Sequence, residues 1–501
     1  MKTNYYQKFN TRKGNSYIYD GVSSSVIPDE GVLEEIIKLH NDNYDYIQIL
    51  DKLSRKYDEQ ILKSAIKFAD RWNKKYGGFF VDTDNVIKPI KANADMVKQY
   101  MDNGELYLLV LSVTEDCNFR CKYCYLSETY DYTRNRTSCH MTFETAKKAV
   151  DFYFDLIRKY KKIKPNKKAS INFFGGEPLL EMDLVRKVVE YAKKTCPVEL
   201  DFDITTNGYL LTDEVADFLV ENDFYVAVSL DGDRKNNSNR VMSKNTETFE
   251  KVLENIKRFR KRYPLYGKFG LLAVYDINTD LEKNAEFFDD IELPPVLRVT
   301  GVASNNTCYY QKFSEEDYAR FNKQITKLRE EYIEKKKKSL PISTYQMVLF
   351  ENELFQLYMR RRYKDNKGAI LPYTGTCLPG VRLGVRADGT FDICERMNQE
   401  FPIGNVNDGY NLENIAQIIN RYNDDVTGKC GTCIGNKVCS ICYANVAGDK
   451  KFNCDSKVCN QVREFVKNGF ALLYEILEEN PDAFKQEEYD KVIKNMLIFE
   501  G

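Results

Sequence analysis

From about residue 105 to 301 the chain alternates short apolar runs with amphipathic stretches, a pattern that admits few folds. Strands are predicted at 107–113, 170–174, 200–205, 225–230, 268–275 and 296–301. Helices fit the intervals at 143–160, 182–194, 212–222, 248–263 and 281–290. Six βα repeats imply an α/β fold, a parallel sheet curved into a partial (β/α)6 barrel of the TIM type. Ligands of such sheets gather at the C-terminal strand ends, so the turns there are where chemistry is sought.

Those turns are unusual. The first strand runs into VTEDCNFRCKYCY, which holds Cys117, Cys121 and Cys124 in a C-x3-C-x2-C spacing. Three thiolates this close can hold three irons of a [4Fe–4S] cluster. A fourth cysteine that would complete all-cysteine ligation is missing nearby, so one iron stays open for chemistry. The second strand ends in Phe174-Gly175-Gly176-Glu177-Pro178. Its glycines let the backbone approach a ligand closely, and Glu177 offers a carboxylate to an ammonium group. Thr205-Thr206-Asn207-Gly208 closes the third strand with groups that donate and accept hydrogen bonds. Ser229-Leu230-Asp231-Gly232 closes the fourth, with Asp231 placed for ribose hydroxyls. Arg240, further on, is a candidate partner for a carboxylate.

Composition narrows the chemistry further. At 501 residues the chain needs more than one core. A formal net charge of -1 argues against a general nucleic-acid or membrane-surface binder. No apolar run is long enough to span a membrane, and the N-terminus lacks the apolar core of a signal peptide, so a cytoplasmic location is expected. With only two histidines, His40 and His140, imidazole-based catalysis or zinc binding is not expected. Fourteen cysteines in such a chain point to metal rather than disulfides.

Eight of these cysteines fall between residues 377 and 459. Cys377 comes first, then Gly389 five residues before Cys394, then Cys430-x2-Cys433-x5-Cys439-x2-Cys442, then Cys454 and Cys459. A structural zinc ribbon usually separates its two knuckles by more residues than this. Two interleaved clusters, whose ligand order can cross, explain the spacing better. Cys139, Cys196 and Cys308 are expected to be free thiols.

Residues 1–95 read as a separate module: short strands at 16–20 and 23–27, then helices at 30–40, 46–57 and 59–76. Ile47, Leu50 and Leu53 mark the apolar face of the second helix, and Ile61, Ala65, Phe68 and Trp72 that of the third. Residues 302–375 read as bridging helices, at 314–338 and 344–362, ending in a loop at 368–375. Residues 461–501 form a charged helical tail whose apolar stripe includes Phe465, Leu472 and Ile476.

Over residues 105–301 the strand-end turns resemble those of radical SAM enzymes. In that family S-adenosylmethionine chelates the open iron and is cleaved to a 5′-deoxyadenosyl radical that abstracts hydrogen from substrate; the cofactor carries the hard chemistry and the protein positions it. By this resemblance Gly175, Gly176 and Glu177 would contact the methionyl amine, Arg240 its carboxylate, and Ser229 and Asp231 the ribose. Tyr123 would lie by the adenine, and the Thr206-Asn207 turn would complete the cofactor site. Residues 376–460 resemble a SPASM domain with two auxiliary [4Fe–4S] clusters, making three clusters in all. Cys377, Cys394 and Cys442 would then bind the first auxiliary cluster, and Cys430, Cys433, Cys439 and Cys459 the second, with Cys459 preferred over Cys454 because its gap from Cys442 better matches the family's last interval.

The N-terminal module resembles the winged-helix, PqqD-like leader-recognition domain of peptide maturases, where a leader adds as a strand to a sheet edge. The chain departs from these relatives twice. Many of them carry another cysteine shortly before the position of Cys377, and this chain has none, which would leave an open iron on the first auxiliary cluster unless Cys308 or Cys454 fills it. Sulfatase-maturing relatives have Asp after the cysteine matching Cys394, and here Glu395 stands there, either as a general base or as a salt-bridged surface residue.

The resemblance thus implies an enzyme that modifies a ribosomally made precursor peptide, recognised by its leader. Joining a cysteine sulfur to carbon as a thioether is the expected reaction. Carbon–carbon crosslinking, epimerisation and formylglycine formation are the alternatives within the family, and a non-enzymatic iron–sulfur or zinc protein is the alternative outside it. A flavodoxin or ferredoxin would supply electrons.

Overall fold

A computed structural model describes residues 2–82, 88–360, 370–371 and 377–484, without the side chains of residues 2–4 and 80–82. The six expected strands form within a residue or two of their predicted limits. They are preceded by β1 (Lys2–Asn4), β2 (Tyr6–Asn10), β3 (Ser16–Asp20), β4 (Ser25–Pro28), α1 (Val32–Asn41), α2 (Tyr46–Leu53), α3 (Glu59–Tyr76), β5 (Phe80–Asp82) and α4 (Ala94–Met101). The alternating unit is β6 (Leu108–Thr114), α5 (Phe143–Lys161), β7 (Ala169–Gly175), α6 (Met182–Thr195), β8 (Leu200–Thr206), α7 (Asp213–Glu221), β9 (Tyr225–Ser229), α8 (Phe249–Arg262), β10 (Phe269–Tyr275), α9 (Leu281–Phe288) and β11 (Val296–Gly301).

Strands β6 to β11 lie side by side in sequence order, each parallel to the next. Every residue of β6 is buried, as expected of a strand covered on both faces. Its Leu109, Leu111 and Val113 share one core with Ala146, Val150, Tyr153 and Phe154 of α5. This geometry sends every β-to-α turn of the unit to the same end of the sheet, which brings the cysteine loop and the three polar turns together.

After β11 come α10 (Glu315–Lys337) and α11 (Thr344–Tyr358), then β12 (Arg382–Val385), β13 (Thr390–Asp392), β14 (Gly404–Asn405), β15 (Gly409–Tyr410), α12 (Leu412–Asp425), α13 (Tyr443–Val446) and α14 (Ser456–Leu477). Most of the expected 368–375 loop, residues 361–362 of the second bridging helix and the tail beyond residue 484 lie outside the described residues. Strand β12 adds parallel to β6, and β13 to β15 continue the sheet antiparallel, so ten strands form one sheet. Gly389 makes the β12–β13 turn at φ +90°, a conformation that favours glycine. The cysteine-rich region is therefore hydrogen-bonded to the edge strand that carries the C-x3-C-x2-C loop. Buried Asp392 reinforces the junction: both its oxygens accept from Arg386 at 2.6 Å, and Arg134, from the segment after the cysteine loop, lies 3.8 Å away.

The N-terminal module has an antiparallel sheet β2–β3–β4 and three helices around Ile18, Ile36, Ile37, Ile49, Leu53 and Leu62. Strands β1 and β5, which pair antiparallel, extend it beyond the expected elements. The expected helix faces hold except at Ile47 and Ile61. In α2, Leu53 is buried and Leu50 packs against the core beside buried Ile49, while Ile47 is 80% exposed; in α3, Ala65, Phe68 and Trp72 pack against the core beside buried Leu62 and Ala69, while Ile61 is 50% exposed. The tail stripe forms too: Ile476 is buried, and Phe465 and Leu472 pack against a core that includes Val466, Phe470 and Leu473.

That stripe has a partner. Phe9 stacks on Phe470 (5.8 Å between centroids), Tyr17 lies on Tyr474 (4.8 Å), and Thr11 and Tyr17 both donate to Glu478 at 2.9 Å. The module thus packs against α14 through an aromatic layer. Phe9→Ala is expected to cost about 3–5 kcal/mol of that docking, seen as an earlier first transition in denaturant unfolding and as new proteolytic cleavage near residue 90. Among the described residues no helix is long and apolar enough to cross a membrane.

Candidate active site

The glycines of the second turn serve the protein's own backbone. A Cβ on Gly176 would fall inside the envelope of the Asp116 carbonyl oxygen, and one on Gly175 inside that of Thr114. The chains approach so closely that Gly176 N donates to Thr114 O (2.9 Å) and Glu177 N to Asp116 O (3.0 Å). The cysteine loop is thereby clamped onto the end of β7. The pair permits this backbone-to-backbone approach and also lines the cavity at the strand ends.

Glu177 sits below that clamp, 1% exposed. Its carboxylate accepts from Leu179 N (3.1 Å), Thr206 Oγ1 (2.6 Å) and Asn207 N (2.7 Å). Burial raises its pKa to about 7, against the pull of these donors and of Arg240. Thr206 and Asn207 therefore orient Glu177 across the strand ends. Asn207 also donates to Asn118 Oδ1 at 2.7 Å, which ties the third turn to the cysteine loop.

Asp231 is 1% exposed, and its carboxylate is directed to protein groups. Oδ1 accepts from Val274 N and pairs with Arg240 Nε, both at 3.0 Å, while Oδ2 accepts from the Tyr123 hydroxyl. Arg240 also lies over the Tyr123 ring, 5.7 Å from its centroid. Tyr123, Asp231 and Arg240 form one bracket in which Asp231 fixes the other two.

A cavity of about 580 Å³ opens above these turns. Cys117, Cys121, Cys124, Tyr123, Gly175, Gly176, Glu177, Thr206, Asn207, Ser229 and Arg240 line it, and Asp231 does not. Its opposite wall comes from the cysteine-rich region: Glu395, Arg396, Asn398, Ala444, Asn445 and Ala447. These flank Cys394 and Cys442 in sequence. The loop after β11 closes a third side, held by Asn305 and Asn306, which donate to the carbonyls of Asn445 (2.8 Å) and Ala447 (3.1 Å). Glu395 is 6% exposed, and its Oε2 has no hydrogen-bond partner among the described residues. Of its two expected alternatives, the salt-bridged surface residue is thus set aside.

Burial raises the thiol pKa of Cys117 and Cys121 to about 12 and raises that of Cys124, so a bare thiolate is unfavourable there without a cation. Yet the backbone N–H two residues on points at the sulfur: Phe119 N donates to Cys117 Sγ at 3.3 Å, and the same relation holds for Cys124 with Leu126, Cys394 with Arg396 and Cys439 with Ile441. Such donors favour the anionic sulfur. An open-iron cluster on Cys117, Cys121 and Cys124 fits this donor set, and the adjoining cavity has room for a nucleoside-sized ligand. Among the described residues no three His, Cys, Asp or Glu side chains converge on a single metal ion.

The other cysteines fall into two neighbourhoods. Cys394 lies within electrostatic reach of Cys442, and Cys377 acts on Arg382 and Tyr443, beside them. Cys430 interacts with Cys433, Cys439, Cys459 and Cys454. Cys454, one of two candidates for the open iron of the first auxiliary cluster, lies instead beside the second set. Cys308 is exposed beside the Thr129 carbonyl.

Residues 111–288 match the family model of the Radical SAM superfamily. The radical SAM cyclopropyl synthase TigE of Paramaledivibacter caminithermalis is 24% identical over 402 residues, covering 75% of this chain and 78% of that protein. A cysteine-type anaerobic sulfatase-maturating enzyme of Clostridium perfringens is 26% identical over 57% of this chain and 70% of its own length. That of Clostridium novyi is 30% identical, but the match spans only 48% of its length. The solved structure of native anSMEcpe with bound AdoMet superposes with a TM-score of 0.54 at 21% identity, over 74% of this chain and 99% of that one.

Proposed function

We propose that this chain, whose residues 111–288 form a radical SAM domain, is a maturase that oxidises a ribosomally made precursor peptide, joining a cysteine sulfur to carbon. The observation that carries this reading is the single cavity lined on one side by Cys117, Cys121 and Cys124 and on the other by residues flanking Cys394 and Cys442. A substrate side chain in that cavity would lie between the first cysteine set and the segments that carry Cys394 and Cys442. Related maturases support a peptide as substrate: anSMEcpe was also solved with AdoMet and a peptide, Cp18Cys.

In this reading Cys117, Cys121 and Cys124 hold a [4Fe–4S] cluster, and Cys377, Cys394 and Cys442 hold an auxiliary one with room for a substrate thiolate. Cys430, Cys433 and Cys439, with a sulfur from the 454–459 segment, hold the third. When bound at the first cluster, S-adenosylmethionine would supply the radical that takes a hydrogen atom from the peptide, and the electron released as sulfur joins carbon would pass to the auxiliary cluster held by Cys377, Cys394 and Cys442. Glu177, fixed by Thr206 and Asn207, receives the ammonium group. Arg240 takes the carboxylate, Tyr123 packs beside the adenine, and Ser229 faces the ribose. Asp231, expected at first to bind ribose, acts instead through Arg240 and Tyr123 by holding both in place. Glu395 accepts a proton from the substrate at its free Oε2. The N-terminal module binds the leader at the open edge of β4, and a flavodoxin or ferredoxin donates the electron.

Formylglycine formation is the second reading, favoured by buried Glu395, whose Oε2 has no hydrogen-bond partner among the described residues, although sulfatase-maturing relatives carry Asp at that position. Product mass separates the two. Reconstituted protein with S-adenosylmethionine, reductant and a Cys-containing precursor is expected to give a peptide lighter by two hydrogens with one thiol consumed. A product in which oxygen has replaced sulfur would establish formylglycine, and unchanged mass would contradict both.

A further inference from the structure

The second cysteine neighbourhood holds one thiol too many. Cys430, Cys433, Cys439, Cys454 and Cys459 act on one another, and a [4Fe–4S] cluster has four irons to ligate. The surplus is localised. Cys454 Sγ and Cys459 Sγ lie 3.7 Å apart. Ligands on different irons of one cubane are held apart by the body of the cluster, so a pair this close offers a single iron two alternative sulfurs.

Both thiols are held where they are by well-packed structure. Ala447 bridges to Phe452, Asn453 N donates to Val446 O, and Phe452 N donates to Asp425 Oδ2 at 2.8 Å. Phe452 is 3% exposed and stacks on Phe401 (4.5 Å). This fixes the turn that delivers Cys454. Cys459 lies in the first turns of α14, whose start is capped by Asp455 accepting from Val458 N at 2.9 Å. Two rigid elements thus aim two sulfurs at one place.

We infer that Cys454 and Cys459 are interchangeable ligands to the same iron of the second auxiliary cluster, so that loss of either leaves the cluster bound through the other. The inference rests on the three-cluster reading above, and the wild-type iron content tests that reading separately. The experiment compares iron and sulfide per chain in reconstituted wild type, Cys454→Ala, Cys459→Ala and the double variant. Wild type and both single variants are expected to hold about twelve irons, and the double variant, left with three cysteines at that cluster, is expected to lose about one iron more than wild type on mild oxidation. A single variant that loses that extra iron as the double does overturns the inference, as does a double variant that loses no more than wild type. Wild type holding only one or two clusters overturns the three-cluster reading with it.

A second measurement needs no variant. Iodoacetamide labelling of the cluster-loaded chain, followed by trypsin, separates the two cysteines because Lys457 lies between them. Label divided between the two peptides, adding up to about one per chain, is the expected result. Label confined to one cysteine, with the other fully protected, would mean that only the protected one is a ligand.

Discussion

Gly176→Ala is expected to reduce 5′-deoxyadenosine formation by roughly 100-fold or more, the loss that an ångström-scale displacement of a reacting group can cause. The added methyl group has no room, because the Asp116 carbonyl already occupies its position. Relief requires the cysteine loop to lift from β7, which breaks the hydrogen bonds from Gly176 N to Thr114 O and from Glu177 N to Asp116 O. Glu177 then loses its alignment, and Cys117, next to Asp116, moves with the loop. The variant should bind about four fewer irons per chain than wild type, because the cysteine-rich region keeps its own ligands. Overpacking should also cost about 1–3 kcal/mol. Wild-type iron content together with wild-type cleavage of S-adenosylmethionine would show that the clamp is dispensable.

Asp203→Asn is expected to stabilise the protein at neutral pH by several kcal/mol and to have little effect near pH 4. Asp203 is buried in β8; its Oδ2 accepts from Ser170 Oγ at 2.5 Å, and its Oδ1 has no partner among the described residues. Burial raises its pKa from 3.8 to about 8, against the Ser170 hydrogen bond. Below about pH 4 the group is protonated in both folded and unfolded chains, and its contribution does not vary. Between about pH 4 and about pH 8 the folded chain keeps a proton that the unfolded chain releases. Stability therefore falls as pH rises across that window, by up to about 1.4 kcal/mol per pH unit. Asparagine supplies a neutral side chain of the same shape and removes the slope. Thermal melts across the window should show wild type declining and the variant flat. Parallel pH profiles would contradict the assignment.

The parallel strands were legible because a strand buried on both faces writes itself as an unbroken apolar run, as in Leu108–Thr114. The strand-end turns were legible for a related reason: Gly176, Glu177 and Asn207 follow such runs directly. What those residues touch was not legible. That Gly176 faces Asp116, and that Glu177 is gripped by Thr206 and Asn207, depends on loops brought together only by the sheet. Asp231 looked like a ligand group because nothing in its own turn shows that Arg240, Tyr123 and Val274 would claim both its oxygens. The addition of β12 to β6 was hidden for want of any local signal, since its partner lies more than 270 residues earlier. Cys454 was ranked below Cys459 because spacing ranks ligands one at a time, whereas its sulfur is 3.7 Å from that of Cys459 only after the 447–452 turn and α14 have folded.

The central claim is that one cavity joins a S-adenosylmethionine site to a separate metal site that handles the substrate. Cys394→Ala tests it most directly. With reconstituted enzyme, reductant and precursor, the account predicts that the variant forms 5′-deoxyadenosine at the wild-type rate, lacks about four irons and yields no modified peptide. Parallel loss of cleavage and product, or normal product from a variant lacking that cluster, would contradict it.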